Sequence, residues 1–378
     1  MSAVVTAHRV NTLPPILIKP GMPPCNRSSQ ETTGAGATSI RRVSAHFLRP
    51  GRECQFSDCF FQPILNSVVE ITVPVFGIGL LGYLATRLGW FSAQAGEGLA
   101  RFVFDFAIPA LLLRTFANAD LPEDMPLDLI GSYYLPVVAF YLLGMLIARL
   151  LFARPFDGQV ITGFSFSYGN AVLLGLPLVL LTLGDEASLP YFILLSMHAL
   201  SLFTVTTAML EWNRHRGASP LNMIGKVFLG LLKNPILMGI VAGITLNRLG
   251  LPLTGALDTT AGYLQNTVAA CSLFALGVSM TKYRIAGQLK QSIIAVLAKN
   301  IAFPVCVYIA CSQLFLLSAH WTFIAVLMAA QPTGVNAYIF AERYGTAQAL
   351  ATTTVFLSTA FSLLTIPALL YFYQSGAF

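Results

Sequence analysis

The sequence predicts an all-α membrane protein of ten transmembrane helices, arranged as two inverted five-helix repeats. Three observations carry this. The composition is too apolar for a soluble domain, the apolar residues fall into segments of membrane-spanning length, and the fourth and ninth segments carry the same interruption. Of 378 residues, 56% are hydrophobic and only 10% charged, whereas a soluble domain carries about a quarter charged residues. Mean hydropathy is +0.71. A soluble protein of this composition would expose large adhesive patches.

Residues 1–62 stand apart. They are rich in Pro, Ser, Thr, Gly and Arg, with Pro14, Pro15, Pro20, Pro23 and Pro24 followed by Arg41, Arg42, Arg49 and Arg52. They lack periodicity and cannot bury a core, so a disordered tail is expected. No basic start followed by a compact apolar run and a cleavage site is visible. The acid-poor stretch reads either as an organelle transit peptide or as sequence upstream of a mis-assigned start codon.

From Ile64 onward ten apolar segments follow, at about 64–88, 98–118, 127–152, 159–183, 188–212, 232–249, 257–280, 290–317, 320–343 and 347–373. A helix needs ~20 residues to span the hydrocarbon core. Internal prolines are tolerated where neighbouring groups satisfy the freed backbone. The expected organisation is a first repeat over 63–214, a cytoplasmic linker over 215–231 and a second repeat over 232–378.

Charge sets the orientation. Alternate loops carry Arg87 and Arg101, Arg149 and Arg154, then Arg214, Arg216, Lys226 and Lys233, then Lys282, Arg284 and Lys290, and finally Arg343. The intervening loops carry Asp120, Glu123, Asp124, Asp128, Asp185, Glu186, Arg248 and His320. Positive loops mark the cytoplasmic side, so both ends of the membrane domain are expected outside. The net charge of +6 is scattered through these short clusters, without a basic face interleaved with aromatics, which argues against nucleic-acid binding.

Segment four contains "GFSFSYGNAVLLGLPLVLLTLGDEA" (163–187) and segment nine "AVLMAAQPTGVNAYIFAERYGTAQA" (325–349). Both hold Gly, Asn and Pro at mid-span: Gly169, Asn170 and Pro177 in one, Pro332, Gly334 and Asn336 in the other. They lie five segments apart, an odd number, so the second copy inserts upside down. Inverted repeats with interrupted helices characterise secondary transporters, whose sites lie at the midplane. A broken helix frees N–H groups on one half and C=O groups on the other, and its half-helix N-terminus attracts anions.

Several stretches in order resemble the auxin efflux carrier family: "GYLATRLGWF" (82–91), "FVFDFAIPALLLRTFA" (102–117), "NAVLLGLPL" (170–178), "KNPILMGIVAGI" (233–244), "LFALGVSM" (273–280), "AKNIAFP" (298–304), "QPTGVNAYIFAERYG" (331–345) and "STAFSLLTIP" (358–367). The resemblance spans roughly residues 64–373. It implies ten helices in a scaffold part and a transport part, with the fourth and ninth helices crossing at their broken centres. It implies small organic anions, carboxylates or auxin-like acids, as substrates. The short link between segments five and six is similar to bacterial-type carriers, which implies a multi-pass protein of the bacterial inner membrane. A homodimer is common for the architecture, and protons or sodium are the candidate coupling ions.

The candidate substrate-binding residues are Asn170, Pro177, Gln331, Pro332, Thr333, Asn336 and Lys299, with Tyr168 as a further hydrogen-bonding group. Asn170 and Asn336 either contact substrate or cap the broken backbone; Pro177 and Pro332 are expected to fix the breaks. Lys299 lies inside segment eight, where an unpaired lysine costs ~3 kcal/mol, so it either meets a carboxylate or extends its stem to the interface. Asp105 follows Arg101 at i, i+4 and either pairs with it or carries a coupling proton, a role also open to Lys299. Glu342 and Arg343 read as interfacial anchors or a gate, and Asn234 with Pro235 as a helix start. His198 reads as a satisfied interior histidine.

Enzyme chemistry is not indicated. The chain has no HExxH pair, no GxSxG elbow and no Walker-type GxxxxGK[ST]. No cofactor is implied. Cys271, Cys306 and Cys311 lie in apolar runs as small hydrophobes, and Cys25, Cys54 and Cys59 in the tail lack partners at zinc-ligand spacing. The remaining alternatives are a cation/proton antiporter, a sodium-coupled organic-anion symporter of similar design, and a non-transporting membrane receptor.

Overall fold

Prolines shape this fold as much as apolar residues do. The computed structural model describes residues 56–119, 121, 126–184, 189–214 and 234–376. The predicted linker 215–231 and the predicted tail up to residue 55 lie outside these. Among the described residues every named element is helical, and the one β feature is an isolated bridge between Gly169 and Thr333.

The helices in chain order are α1 (Phe56–Arg87), α2 (Ala93–Phe102), α3 (Ile108–Asn118), α4 (Leu127–Leu150), α5 (Phe156–Ser167), α6 (Leu176–Leu183) and α7 (Leu189–Arg214). They continue with α8 (Pro235–Arg248), α9 (Gly255–Met280), α10 (Leu289–Leu297), α11 (Phe303–Ile309), α12 (Ala319–Ala329), α13 (Asn336–Arg343) and α14 (Gln348–Gln374). Six stretches are long and apolar enough to cross a membrane: Val68–Arg87, Leu127–Leu150, Leu189–Arg214, Gly255–Met280, Leu289–Leu314 and Gln348–Gln374. Shorter apolar helices cover Ala171–Leu183, Pro235–Arg248 and Ala319–Ala329. The first and last of these are short because their spans are broken.

Of the four π-helical turns among the described residues, three, Val103–Ala107, Ala171–Gly175 and Ala298–Ala302, end two residues before a proline: Pro109, Pro177 and Pro304. Proline lacks an N–H and its ring clashes with the carbonyl four residues back. Widening the preceding turn to i→i+5 relieves that clash without ending the helix. The path α2 to α3 is therefore one helical segment, and so is α10 to α11.

This geometry removes one of the two alternatives for Asp105, the pair with Arg101. Asp105 lies inside the first π turn, so the regular four-residue spacing to Arg101 does not hold. Asp105 is exposed and forms no ion pair with Arg101. The Asn234 expectation holds: its Oδ1 accepts the Ile236 N–H at 3.0 Å, and Pro235 opens α8.

Glycines let helices approach closely, as in membrane bundles. A Cβ on Gly277 of α9 would meet the Gly79 carbonyl of α1 at 1.8 Å. The lipid-facing surface is apolar, with Val73, Leu80, Leu142 and Leu150 exposed.

The polar contacts separate into two ends. At one, Lys282 pairs with Glu97, Arg154 bonds Gln288 and Gln291, and Arg214 reaches Asp157 and the Tyr344 carbonyl. The Lys282 ammonium holds the Glu97 carboxyl below its usual range. At the other, Arg114 pairs with Asp258 at 2.6 Å, and Asn247 donates to the carbonyls of Ala117 and Ala119. The first group comes from the loops that the charge pattern assigns to one side.

Candidate functional site

α5 stops at Ser167 because Tyr168 turns extended, with φ −83° and ψ 117°. Tyr168, Gly169 and Asn170 run unwound before the chain re-enters helix at Ala171. α12 ends at Ala329, and the stretch around Pro332 to Gly334 is unwound before α13 begins at Asn336. These two unwound stretches lie side by side. The Asn170 N–H donates to the Pro332 carbonyl at 2.8 Å, and the Gly334 N–H donates to the Tyr168 carbonyl at 3.1 Å. They form the antiparallel bridge Gly169–Thr333 in the interior of an otherwise helical protein. Each break thus satisfies part of the backbone that the other exposes.

Side chains close the rest of the junction. The Thr333 hydroxyl donates to the Ser165 carbonyl at 3.0 Å, and the Thr333 N–H donates to Ser358 Oγ at 2.8 Å. Ser358 in turn donates to Asn300 Oδ1 at 2.7 Å, while Asn300 Nδ2 donates to the Ser358 carbonyl at 3.1 Å. Asn336 Nδ2 donates to the Tyr168 hydroxyl at 3.0 Å. The Gly169 N–H donates to His198 Nε2 at 3.2 Å, and the Tyr168 ring stacks on that imidazole at 5.0 Å. His198 is thus an acceptor for the broken backbone, a role that its bland sequence context did not reveal.

Lys299 is fully buried. Its ammonium donates to the Ala329 carbonyl at 2.6 Å and lies 4.7 Å from the centre of the Phe303 ring. It neither reaches the interface nor pairs with a carboxylate among the described residues. Ala329 is the last residue of α12, so the lysine side chain donates at the carbonyl-bearing, negative end of that half-helix. A Cβ on Gly169 would stand 3.4 Å from the same ammonium, which puts Lys299 against both breaks.

Four buried polar atoms around the junction have no partner among the described residues: Asn170 Nδ2, His198 Nδ1, Gln331 Oε1 and Tyr133 Oη. Gln331 is otherwise held by donation from Nε2 to the Leu327 carbonyl at 2.9 Å. Buried groups of this kind are ordinarily satisfied, so a cluster of unsatisfied ones marks a place where a ligand or water completes the bonding.

Of the sequence candidates, Asn170, Gln331, Pro332, Thr333, Asn336 and Lys299 are gathered at this junction. Pro177 is buried but stands in the first turn of α6, beyond the π turn, and so shapes the half-helix rather than the unwound stretch. No hydrogen bond or ion pair connects Asp105 to it. Glu342 and Arg343 are exposed at the end of α13, where Glu342 accepts from the Tyr338 hydroxyl. Ser358, Asn300 and His198 were not singled out as ligands by sequence. Their only signal is that they are polar within apolar spans.

The membrane transport protein family model matches residues 67–370. The chain belongs to this family, that of the auxin efflux carriers. The match includes both breaks, Lys299 and Ser358. The chain is 28% identical to a putative malonate transporter of Rhizobium meliloti over 317 residues, covering 83% of this chain and 98% of that protein. It is 26% identical to auxin efflux carrier component 8 of Arabidopsis thaliana, covering 81% of this chain and 96% of that protein. As a member of a membrane transport family, it is a multi-pass membrane protein and a transporter rather than an enzyme.

Proposed function

We propose that the chain is a secondary carrier that moves small organic anions by alternating access, with the substrate held where the two broken helices cross. The observation that carries this reading is the antiparallel pairing of Gly169 with Thr333 beside the buried ammonium of Lys299. Lys299 and the free amide donor of Asn170 favour a carboxylate. A cation exchanger would instead need carboxylates at the crossing, and the residues there are Asn170, Gln331, Thr333 and Asn336.

The ten spans form two inverted five-helix repeats, with the basic loops cytoplasmic and both ends of the membrane domain outside. Such carriers open a midplane site to each side in turn by moving one group of helices against the other. Unwound half-helix C-termini in them commonly coordinate sodium. Lys299 already supplies a cation at the α12 terminus, which favours protons over sodium for any ion coupling. The short link between α7 and α8 supports a bacterial-type carrier of the plasma membrane.

The test is flux. Purified protein in liposomes should take up labelled malonate, the dicarboxylate in one relative's name, down an imposed gradient and without ATP. A panel of mono- and dicarboxylates defines the range. Binding of an acid without flux of any member of the panel would make the chain a receptor.

A further inference from the structure

Away from the crossing, a second polar cavity lies at the end of the molecule that gathers the basic loops. It has a volume of about 530 Å³ and is lined by Arg87, Lys282, Arg284, Tyr338, Gln348 and Thr352. This is within the ~300–1,000 Å³ of small-molecule sites, too large for a single small ion. Its walls come from three places: the last turn of α1, the loop after α9, and the facing parts of α13 and α14.

The charges in it are incompletely balanced. Glu97 is taken up by Lys282, and Glu342 accepts from the Tyr338 hydroxyl at 3.1 Å. Arg87 donates from Nε to the Tyr83 hydroxyl at 3.2 Å and lies over that ring, but among the described residues neither Arg87 nor Arg284 has a carboxylate partner. Thr352, 6% exposed, closes the floor of the cavity. Two guanidiniums without a carboxylate partner among the described residues, with Lys282 beside them, line one space and leave it with an excess of positive charge.

We infer that this cavity binds a phosphate ester anion, and that the bound anion ties α1 and the loop after α9 to α13 and α14. A phosphate accepts from guanidinium groups in pairs, in the bidentate geometry that lysine cannot supply. Basic pockets between membrane helices are a recurring setting for anionic headgroups. Leu84, Leu88 and Ile285 are exposed beside the cavity and offer apolar surface along which acyl chains can run. A soluble phosphate ester would present the same anion without the chains. Because the cavity joins elements on both of its sides, its occupant restrains their relative movement, which gives the site a regulatory consequence distinct from substrate binding.

The experiment measures thermal unfolding of the full chain in detergent, at matched ionic strength. One arm adds glycerol 3-phosphate. The other adds mixed micelles containing phosphatidylglycerol, with phosphatidylcholine as control. The expected result is a rise in the unfolding midpoint that sodium chloride does not reproduce and that is lost in the Arg87→Gln, Arg284→Gln double variant. A rise in the lipid arm alone identifies a headgroup site; a rise in both identifies a general phosphate ester site. Should the double variant fail to fold, Arg284→Glu alone must show the same loss. No rise in either arm, or a rise that persists in the variants, overturns the inference. None of these outcomes depends on malonate transport, so failure here and failure of the carrier reading are distinguishable.

Discussion

The Lys299 ammonium donates to the Ala329 carbonyl across 2.6 Å, and the lysine is wholly buried. The lysine thereby satisfies a carbonyl at the end of α12 that has no donor within its own helix. This contact links the one buried charged side chain among the described residues to the backbone break that the fold requires.

Replacing it should damage both stability and function. Lys299→Met leaves the Ala329 carbonyl buried without a donor, which costs about 1–3 kcal/mol. It also removes the positive charge offered to a carboxylate. The unfolding midpoint should fall, and malonate uptake into liposomes should be lost. Wild-type uptake should be the same with sodium or choline as the external cation, because the α12 terminus carries its own ammonium. Sodium-dependent uptake would show that a cation has another seat.

Ser358 tests the junction from the side. It accepts the Thr333 N–H and donates to Asn300. Ser358→Ala orphans a buried backbone donor and a buried amide oxygen, so a loss of about 1–3 kcal/mol is expected. Chemical denaturation in detergent measures it. Thr359→Ala is the control: that hydroxyl only returns to the Val355 carbonyl of its own helix, so its loss should be much smaller.

Close packing at the break gives a third expectation. A Cβ on Gly334 would meet Tyr168 Cε1 at 2.4 Å, and one on Gly175 would meet Tyr191 Oη at 2.0 Å. Neither ring can move without giving up a hydrogen bond, from Asn336 to Tyr168 or from Tyr191 to the Ala171 carbonyl. Gly334→Ala and Gly175→Ala should each destabilise by about 1–3 kcal/mol. Gly98→Ala, with no atom within 4 Å of the added carbon, should be neutral within about 0.5 kcal/mol. Thermal melts of the three variants compare them directly.

The two asparagines should separate binding from structure. Asn336 is tied to Tyr168, so Asn336→Ala should cost about 1 kcal/mol of stability. The Asn170 amide nitrogen has no partner among the described residues. Asn170→Ala should therefore leave the melting temperature nearly unchanged while raising the malonate concentration for half-maximal uptake. Equal effects of both variants on stability would mean that Asn170 is structural.

How much of this was legible in the sequence follows from what each residue does locally. Gly169, Asn170, Pro332 and Gly334 announce the breaks because each is costly in a buried apolar helix. Lys299 announces itself for the same reason. The partners of these residues lie spans away in sequence: Ser165 with Thr333, His198 with Gly169, Ser358 with Thr333. A single sequence carries no information on such long-range pairings. The Arg101–Asp105 pair failed for a local reason. The i, i+4 rule presumes a regular helix, and Pro109 imposes a π turn on the residues between. Pro177 was placed at the break because it lies near one, although a proline acts on the turn before it and tolerates the first turn of a helix.

Side-specific labelling at the crossing tests the central claim most directly. Val335→Cys, in a chain whose six native cysteines are replaced by serine, puts a thiol beside Asn336 in the second break. A membrane-impermeant maleimide should reach it from either face of sealed, oriented vesicles, and malonate should protect it from both. Labelling from one face only, unchanged by malonate, would contradict alternating access at this crossing.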